Sequence, residues 1–516
     1  MPMRPSHVRP WRLRDIAEWL GVAAPDADPV VTGITHDSRS VHPGDLFAAL
    51  PGATDHGADF AAQAAERGAV AALTDPTGTG PVSQAGLPAV VVPGPRAVLG
   101  VLAARLYGDP ASALTVIGVT GTHGKTTTTA LMESGAEAAG GTAARIGTNG
   151  TFIRGRAISS RLTTPEAPEL HALYAVMRES GVSVCAMEVS SHALVMGRVD
   201  GVVFDLAVFT NLGRDHLDFH ADLEDYFAAK ASLFTQSRAR RALVNVDDEY
   251  GRRLIDRTEL ETRTFSPDGG PADWRAVEID SSDRGSTFTV VDPDGDGHPA
   301  RVQLSGDFNV ANALAAVAAL AECGLPLDKA IGGVGNRSGV DGRMERVSTS
   351  TGILVVVDYA HKPDAVTAAL KAMRRLCAGT LTVVLGAGGD RDQGKRQLMG
   401  EVAARLADRL IVTDDNPRTE DPADIRASLL AGAASVAPAE RASIRELGDR
   451  RSAIAQAIAE SAPGDCVIVA GKGHEQGQEI AGVVHPFDDR ATARAVLEDL
   501  ALAAGDQAAG EQAIGR

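Results

Sequence analysis

Hydrophobic residues recur along the chain as short runs rich in Val, Ile, Leu and Ala, and each run ends in glycine or polar residues. Runs of this kind, bounded by turn residues, predict buried strands of a parallel sheet. The stretches between them predict helices, and this alternation is typical of α/β domains. The predicted strands are residues 69–73, 90–92, 114–119, 182–187, 204–210, 242–246, 353–357, 381–385, 410–413 and 466–470. The predicted helices are residues 11–20, 60–68, 222–236, 307–323, 363–376 and 395–406.

The chain has 516 residues, which is too many for one hydrophobic core. We therefore predict an α/β protein of three domains. Residues 1–110 form a smaller N-terminal α/β domain, and residues 111–339 form a central parallel-sheet domain that carries a P-loop. Residues 340–516 form a C-terminal Rossmann-like domain. A small antiparallel patch is predicted within residues 256–301.

The P-loop is the strongest chemical signal in the sequence. The predicted strand 114–119 runs into the glycine-rich turn 121–124, and Lys125 then opens a helix. Glycine allows close approach to phosphates, a helix N-terminus attracts anions, and a Lys-Thr pair at this position serves the terminal phosphate and magnesium. Val119 stands where the strict pattern has glycine, so the loop is a variant. The alternative interpretation is an ordinary turn between a strand and a helix.

Acidic and histidine residues follow two further strands of the central domain. Glu188 ends one strand, and residues 211–218, which include His216, follow the next. Carboxyl ends of parallel strands share one edge of the sheet, so these groups predict a magnesium site. Each cluster by itself is equally consistent with a helix cap or a loop. Lys230 lies in a predicted helix, where a lysine is usually only a solvated charge.

Composition narrows the class of protein. The net charge of −17 disfavours a nucleic-acid partner. We find no apolar run long enough to span a membrane and no leader-like segment, so we expect a cytoplasmic protein. The cysteines are widely spaced, which predicts free thiols in a reducing compartment. They are Cys185, Cys323, Cys377 and Cys466.

Further motifs follow in a characteristic order. They read GTHGKT, LTTPEA, MEVSSHAL, NLGRDHLDFH, GDFNVANALAA, DGRME, DYAHKPD, GAGGDRDQGKR, DNPR and GKGHE. In this order, and with Lys230 between the fourth and fifth, they resemble the Mur ligase family over residues 37–475. Within the family they resemble the members that add meso-diaminopimelate.

The resemblance implies a central ATPase domain and an ATP-dependent ligase that forms an amide bond during peptidoglycan precursor synthesis. ATP would phosphorylate the D-glutamate carboxylate of UDP-N-acetylmuramoyl-L-Ala-D-Glu, and the amine of meso-diaminopimelate would attack the acyl phosphate. Mg²⁺ is the implied cofactor. The implied partners are these small molecules, with no nucleic acid and no membrane, and the protein would be a monomer.

The resemblance also implies roles for individual residues. The catalytic residues would be Lys125, Lys230 and His216. The ATP-binding residues would be Gly121, Thr122, His123, Gly124, Lys125, Thr126, Thr127, Asn309, Arg343, Asp358 and His361. The UDP-substrate contacts would be Ser38, Thr54, Thr163, Thr164, Ser190 and Arg198. The diaminopimelate contacts would be Arg391, Asp415, Asn416, Pro417, Arg418, Gly471 and Glu475. The metal ligands would be Thr126, Glu188, His216 and Lys230 as a carbamate.

Amine selectivity would depend on Arg418, because diaminopimelate differs from lysine by a distal carboxylate that a guanidinium binds bidentately. Leu162 and Met196 depart from the family pattern, which has polar residues there. Two alternatives stay open at this point. One is a folylpolyglutamate synthase on the same scaffold, and the other is a P-loop switch or motor.

Overall fold

The computed structural model describes residues 4–52, 54–158, 162–282, 284–347 and 351–514, with side chains described as far as residue 502. No helix in these parts of the chain is both long enough and apolar enough to cross a membrane. Three separate sheets organise the structure, of four, eleven and six strands.

The first sheet is parallel in all its pairings, in the order β3-β4-β5-β6. The strands of this region are β1 (Trp11–Arg12), β2 (Val30–Val31), β3 (Gly33–Thr35), β4 (Asp45–Ala49), β5 (Ala71–Thr74) and β6 (Ala89–Val91). Its helices are α1 (Leu13–Trp19), α2 (Ala61–Glu66), α3 (Thr79–Gln84) and α4 (Pro95–Leu106). The core on one face of this sheet extends to Ala172 and Ala175, which belong to a helix of the central region.

The central sheet has eleven strands in the order β10-β9-β8-β11-β7-β12-β13-β14-β15-β16-β17. These are β7 (Thr115–Thr120), β8 (Ala143–Gly147), β9 (Gly150–Ile153), β10 (Arg156–Ile158), β11 (Val184–Glu188), β12 (Leu206–Phe209), β13 (Arg241–Asn245), β14 (Glu261–Ser266), β15 (Trp274–Ser282), β16 (Gly285–Val291) and β17 (Gly297–Val302). The helices are α5 (Lys125–Ala138), α6 (Ala167–Glu179), α7 (Ser191–Val195), α8 (Leu223–Ala231), α9 (Glu249–Ile255), α10 (Asp307–Glu322) and α11 (Leu327–Asn336). Strands β8, β11, β7, β12, β13 and β14 are parallel.

The third sheet runs β18-β19-β23-β20-β21-β22 and is parallel from β19 onwards. Its region contains β18 (Glu345–Val347), β19 (Leu354–Asp358), β20 (Leu381–Leu385), β21 (Arg409–Val412), β22 (Ser443–Glu446), β23 (Cys466–Ala470), β24 (Gly477–Ile480) and β25 (Val483–Pro486). The helices are α12 (Pro363–Leu376), α13 (Gly394–Leu406), α14 (Pro422–Ala434), α15 (Arg450–Ala459) and α16 (Asp489–Ile514). Apolar cores cover both faces of the sheet, as the near-continuous hydrophobic runs require.

The order of the strands determines where a ligand can bind. In the central sheet β7 lies between β11 and β12, so the loop after β7 is flanked by the ends of both neighbours. In the third sheet β23 lies between β19 and β20. Open parallel sheets bind ligands at the carboxyl ends of such strands. The strand order therefore places the polar residues that end these strands together at the carboxyl edge of each sheet.

The bounds of several elements differ from the sequence-based ones. Residues 11–12 form a strand, and the first helix begins only at Leu13. The predicted helix 222–236 ends at Ala231. The predicted antiparallel patch is present: β15, β16 and β17 pair antiparallel, and the parallel pairing of β14 with β15 joins them to the edge of the central sheet.

Candidate active site

A cavity of about 780 Å³ lies where the central and third sheets face each other. The P-loop and the ends of β11 and β12 form one side of it, and the ends of β19, β21 and β23 form the other. The walls carry lysine, arginine, aspartate, glutamate and histidine side chains from both regions. The cavity can therefore hold an anionic ligand and a second polar ligand together.

Two glycines shape the P-loop. Gly121 has φ +147° and Gly124 has φ +87°, a backbone region that favours glycine. A Cβ at Gly121 would lie 2.0 Å from the Thr210 hydroxyl, and one at Gly124 would lie 2.3 Å from Asn312 Oδ1. The loop can close tightly only with glycine at both positions, and α5 then begins at Lys125 with its N-terminus at the cavity.

Lys125 lies across this loop. Its Nζ donates to the carbonyl oxygens of Gly121 at 2.8 Å and Thr122 at 3.2 Å. Desolvation, with the nearby Lys362 ammonium, lowers the pKa of Lys125 to about 8. The ammonium is thus held at the loop. A phosphate that binds the loop would give this ammonium an anionic partner.

His123, also in the loop, is held neutral. Desolvation, with Lys362 nearby, lowers its pKa to about 3, and its buried Nε2 has no hydrogen-bond partner among the described residues. Its backbone N–H donates to Asn211 Oδ1 at 2.9 Å. The imidazole therefore offers one unused polar atom at the cavity wall.

Glu188 and Thr126 supply oxygen atoms that suit Mg²⁺. Glu188 is fully buried, lines the cavity and accepts from the N–H of Thr148 at 2.8 Å and from its hydroxyl at 3.0 Å. In the described parts of the chain it has no ion-pair partner, and a buried carboxylate of this kind calls for a cation. A hydroxyl and a carboxylate are hard donors, which match Mg²⁺. The two residues therefore fit the predicted metal.

His216 and Lys230, the other predicted ligands, occupy different positions. His216 lines the cavity, has φ +53°, and its Nε2 lies 2.9 Å from Asp215 Oδ2. Lys230 is buried behind the loop and donates from Nζ to the Gly121 carbonyl at 2.9 Å. Among the described residues, no three His, Cys, Asp or Glu side chains are grouped to hold a metal by themselves. Lys230 therefore reaches the loop but is not part of the cavity wall.

The electrostatic setting of Lys230 is unusual for a lysine. Desolvation, followed by the Lys125 charge, moves its pKa well below the ordinary value. Its Nζ also lies 4.5 Å from the centre of the Tyr226 ring. Burial thus favours the neutral amine, which is the form that reacts with carbon dioxide to give a carbamate.

The predicted nucleotide contacts come from two sheets. Arg343 lies in the segment between α11 and β18, donates to the Thr126 hydroxyl at 3.0 Å and lies over the Tyr359 ring at 4.5 Å. Asp358 accepts from the Met344 N–H at 2.7 Å, and burial raises its pKa. The remaining two, Asn309 and His361, also line the cavity.

Four of the predicted UDP-substrate contacts lie together at the end of β11. The Thr164 hydroxyl donates to the Glu188 carbonyl at 2.9 Å. The hydroxyl oxygens of Thr164 and Ser190 lie 3.5 Å apart. Thr163 and Arg198 line the cavity, and Arg198 Nε donates to Glu166 Oε1 at 2.8 Å. Of the departing positions, Leu162 also lines the cavity.

The other two predicted UDP contacts, Ser38 and Thr54, are not brought to the cavity. The Ser38 hydroxyl donates to Gln63 Oε1 at 2.6 Å, and the Thr54 hydroxyl donates to Asp55 Oδ2 at 3.0 Å. Neither residue is among those that line the cavity wall. Their assignment stays a prediction.

Most of the predicted diaminopimelate contacts meet at the opposite end of the cavity. The members that line it are Arg391, Asp415, Asn416, Arg418, Gly471 and Glu475. Pro417 does not line it, although its carbonyl packs against Gly389, where a Cβ would approach within 1.9 Å. The set comes from the loops after β20, β21 and β23, which are adjacent strands.

Arg418 has a strained backbone that its contacts stabilise. It has φ +55°, its N–H donates to the Glu479 carbonyl at 3.0 Å, and its carbonyl accepts from the Ala481 N–H at 2.7 Å. Its Nε lies 3.4 Å from Glu479 Oε2, and its Nη1 donates to the Gly389 carbonyl at 2.5 Å. These contacts aim the guanidinium into the cavity.

A buried ion pair supports this end of the cavity from behind. Arg450 and Asp489 are both fully buried and pair at 2.7 Å and 2.8 Å. Arg450 also donates to the carbonyls of Ala470 at 3.0 Å and Asp414 at 3.4 Å. It therefore ties together the two loops that carry the predicted amine contacts.

The assigned set omitted two lysines and an aspartate on the cavity wall, Lys362, Lys395 and Asp215. Lys362 bonds to Asp215 across the two regions. Burial by itself raises the pKa of Asp215, but the Lys362 ammonium outweighs it and the pKa falls far below its usual range. The sequence contained a signal for these three residues, since each follows a predicted strand and belongs to one of the motifs NLGRDHLDFH, DYAHKPD and GAGGDRDQGKR.

Comparison with known proteins bears on this geometry. Three family models match: the Mur ligase family catalytic domain over residues 30–107, the Mur ligase middle domain over 119–320, and the Mur ligase glutamate ligase domain over 342–473. The chain is 54% identical to the UDP-N-acetylmuramoyl-L-alanyl-D-glutamate--2,6-diaminopimelate ligase of Streptomyces avermitilis. The two sequences align over 498 residues, which are 96% of this chain and 98% of that protein. This chain belongs to the Mur ligase family.

Solved structures agree with the three-domain Mur ligase fold. A structure of a UDP-N-acetylmuramoyl-L-alanyl-D-glutamate--2,6-diaminopimelate ligase superposes with a TM-score of 0.66 at 33% identity, covering 95% of this Mur ligase and 99% of that chain. The MurF ligase of Thermotoga maritima in complex with ADP gives a TM-score of 0.60 at 19% identity, covering 86% and 94%. The second likeness concerns the fold alone.

Proposed function

We propose that this Mur ligase joins meso-diaminopimelate to the D-glutamate carboxylate of UDP-N-acetylmuramoyl-L-Ala-D-Glu, with ATP as the energy source, in the synthesis of peptidoglycan precursors. One observation carries the proposal. A single cavity has a P-loop at one end and, at the other, a guanidinium and a carboxylate, those of Arg418 and Glu475. The name of the Streptomyces avermitilis relative supports the same reaction.

The chemistry requires activation, because a carboxylate at neutral pH does not react with an amine. The terminal phosphate of ATP passes to the D-glutamate carboxylate, so that one P–O bond breaks and another forms. The amine of diaminopimelate then attacks the carbonyl carbon, the C–N bond forms and phosphate leaves. Two anions must meet in the first step, and Lys125, Lys362 and Arg343 line the cavity where their repulsion has to be neutralised.

The metal assignment remains part of the proposal. Thr126, Glu188 and His216, which all line the cavity, would hold Mg²⁺. When bound, Mg²⁺ would stabilise the charge on the transferring phosphate. Lys230, buried behind the loop, would carry a carbamate that adds a negative charge near this site.

The opposite end of the cavity would select the incoming amine. Arg418 would bind the distal carboxylate of diaminopimelate, and Glu475 the distal ammonium. With lysine, the guanidinium would keep only its contacts to Glu479 and the Gly389 carbonyl and would lose the substrate carboxylate, at a cost of about 1–3 kcal/mol. Arg391, Asp415, Asn416, Pro417 and Gly471 would complete this pocket.

We further propose that the protein acts as a cytoplasmic monomer without a nucleic-acid or membrane partner, and that its domains divide near residues 110 and 339. The four cysteines are free thiols, which suits a reducing compartment. Ser38, Thr54, Thr163, Thr164, Ser190 and Arg198 would hold the UDP-substrate.

The test is phosphate release by the purified protein with ATP, Mg²⁺ and UDP-N-acetylmuramoyl-L-Ala-D-Glu. Release should require diaminopimelate, should be much slower with lysine, and should be accompanied by the tripeptide product in mass spectrometry. Equal rates with both amines would refute the role of Arg418. Release with a folate and glutamate in place of the UDP-substrate would favour the folylpolyglutamate synthase alternative, and release without any amine would favour a switch.

A further inference from the structure

Lys472 lies behind the amine end of the cavity and has no assigned role. It follows Gly471, its side chain is fully buried, and it is not part of the cavity wall. Its Nζ donates to Asn416 Oδ1 at 2.8 Å and to Glu475 Oε2 at 3.2 Å, and lies 3.4 Å from Asp415 Oδ1. One buried ammonium thus joins three residues that face the cavity.

We propose that Lys472 is a positioning residue that determines amine selectivity: its ammonium holds Asp415, Asn416 and Glu475 in the arrangement that accepts a distal ammonium beside a distal carboxylate. This inference rests on the proposed function, because it assigns the same pocket to the same amine. Lys472 acts through its three partners and does not touch the substrate.

The lysine and the Glu479 N–H together determine the orientation of the Asn416 amide. An ammonium only donates, so Asn416 must present its oxygen to Lys472. The same oxygen accepts from the Glu479 N–H at 3.0 Å, and the amide nitrogen then donates to Glu475 Oε2 at 2.8 Å. Without the ammonium, only the Glu479 N–H would hold this oxygen, and the amide would lose the stronger, charge-assisted contact that fixes its position.

This arrangement also orients Glu475. Lys472 and Asn416 both donate to Oε2 of Glu475. Over the parts of the chain that the structure covers, Oε1 has no partner, and the side chain retains 33% of its exposure. One carboxylate oxygen is therefore held in place while the other is available to an incoming ammonium at the cavity wall.

The effect of the lysine extends to the guanidinium. Asn416 Oδ1 accepts from the N–H of Glu479, the carbonyl of Glu479 accepts from the N–H of Arg418, and the carboxylate of Glu479 lies 3.4 Å from Arg418 Nε. Both groups that would recognise the distal end of diaminopimelate thus depend on Asn416. A change at Lys472 should disturb the ammonium and the carboxylate subsites together.

Charge gives the direction of the change in selectivity. Asp415 and Glu475 are two carboxylates, and Lys472 is the cation between them. Burial, followed by the Asp415 charge, raises the pKa of Glu475, and Lys472 opposes this shift. Removal of the lysine leaves the pocket more negative by one charge. The pocket then repels a distal carboxylate and loses its preference for diaminopimelate over lysine.

The experiment compares Lys472→Met with the wild-type protein in the phosphate-release assay. We expect kcat/KM for diaminopimelate to fall about 30-fold, and its ratio to kcat/KM for lysine to fall at least about tenfold. The KM for ATP should change less than about twofold, because the P-loop is at the other end of the cavity. Lys371→Met, at an exposed lysine of α12, is the matched control and should match the wild type.

Lys472→Gln keeps a donor without the charge and replaces the methionine variant if that variant does not fold. The inference is overturned if the folded variant keeps the wild-type ratio between the two amines, or if the KM values for ATP and both amines change in parallel. Failure of the proposed function is a different result. In that case the wild-type protein itself shows no phosphate release that depends on diaminopimelate.

Discussion

Replacing Asp489 with alanine should destabilise the third domain strongly. The Arg450–Asp489 pair is 0% exposed on both sides, with contacts of 2.7 Å and 2.8 Å. Burial by itself lowers the pKa of Arg450, but Asp489 outweighs it and the pKa is raised, so the guanidinium stays charged. Removal of one partner from a buried pair leaves an uncompensated charge and costs about 3–5 kcal/mol.

Hydrogen exchange measures this loss within the domain. A cost of about 3–5 kcal/mol should reduce the protection of amides in β20 and β23 between about a hundredfold and a few thousandfold. The three tryptophans, Trp11, Trp19 and Trp274, all precede residue 340, so their fluorescence reports the other domains and should change little. Because Arg450 also donates to the carbonyls before Asp415 and Gly471, the KM for diaminopimelate should rise as well.

Two further variants make the test specific. Glu460→Ala removes the partner of Arg445 in a pair whose side chains are 48% and 41% exposed, and it should cost less than about 1 kcal/mol. The double variant Arg450→Met with Asp489→Leu removes both charges and should recover most of the stability. The reasoning is refuted if Asp489→Ala loses no more protection than Glu460→Ala, or if the double variant is less stable than the single one.

Three other predictions concern the cavity and the central core. Lys230→Ala should abolish ligation with partial rescue by added short carboxylates, and full activity without them would remove Lys230 from the reaction. Arg418→Lys keeps one charge but not the bidentate fork, so the ratio of kcat/KM for diaminopimelate to that for lysine should fall about 10- to 100-fold, and an unchanged ratio would contradict this. Desolvation lowers the pKa of His171 to about 4, so the unfolded state binds the extra proton between pH 6.5 and pH 4. His171 should therefore contribute up to about 3 kcal/mol to the fall in the free energy of unfolding of the central domain as the pH drops through this window, and His171→Gln should make the fall shallower by that amount. Urea unfolding followed by Trp274, with the two tryptophans of the first domain replaced by phenylalanine, measures the slope.

Several elements could be predicted because their cause is local. The runs 381–385 and 466–470 are strands with these bounds in the structure, since uninterrupted β-branched and aliphatic residues suit a sheet covered on both faces. The P-loop could be predicted for a similar reason, as it needs glycine where the backbone closes and a helix start directly after it. The end of the helix predicted over residues 222–236 could not be placed from the sequence, because tertiary packing decides that it ends at Ala231.

The sequence by itself determined the succession of strands, the P-loop and the polar residues that end the strands, because hydrophobic period and glycine placement act over a few neighbouring residues. Only the tertiary structure decided which of those polar residues meet. Lys362 and Asp215 bond across two regions, and Lys472 is buried where a lysine is ordinarily exposed. Such pairings depend on strand order and on the facing of two sheets, which are long-range properties that no local pattern contains.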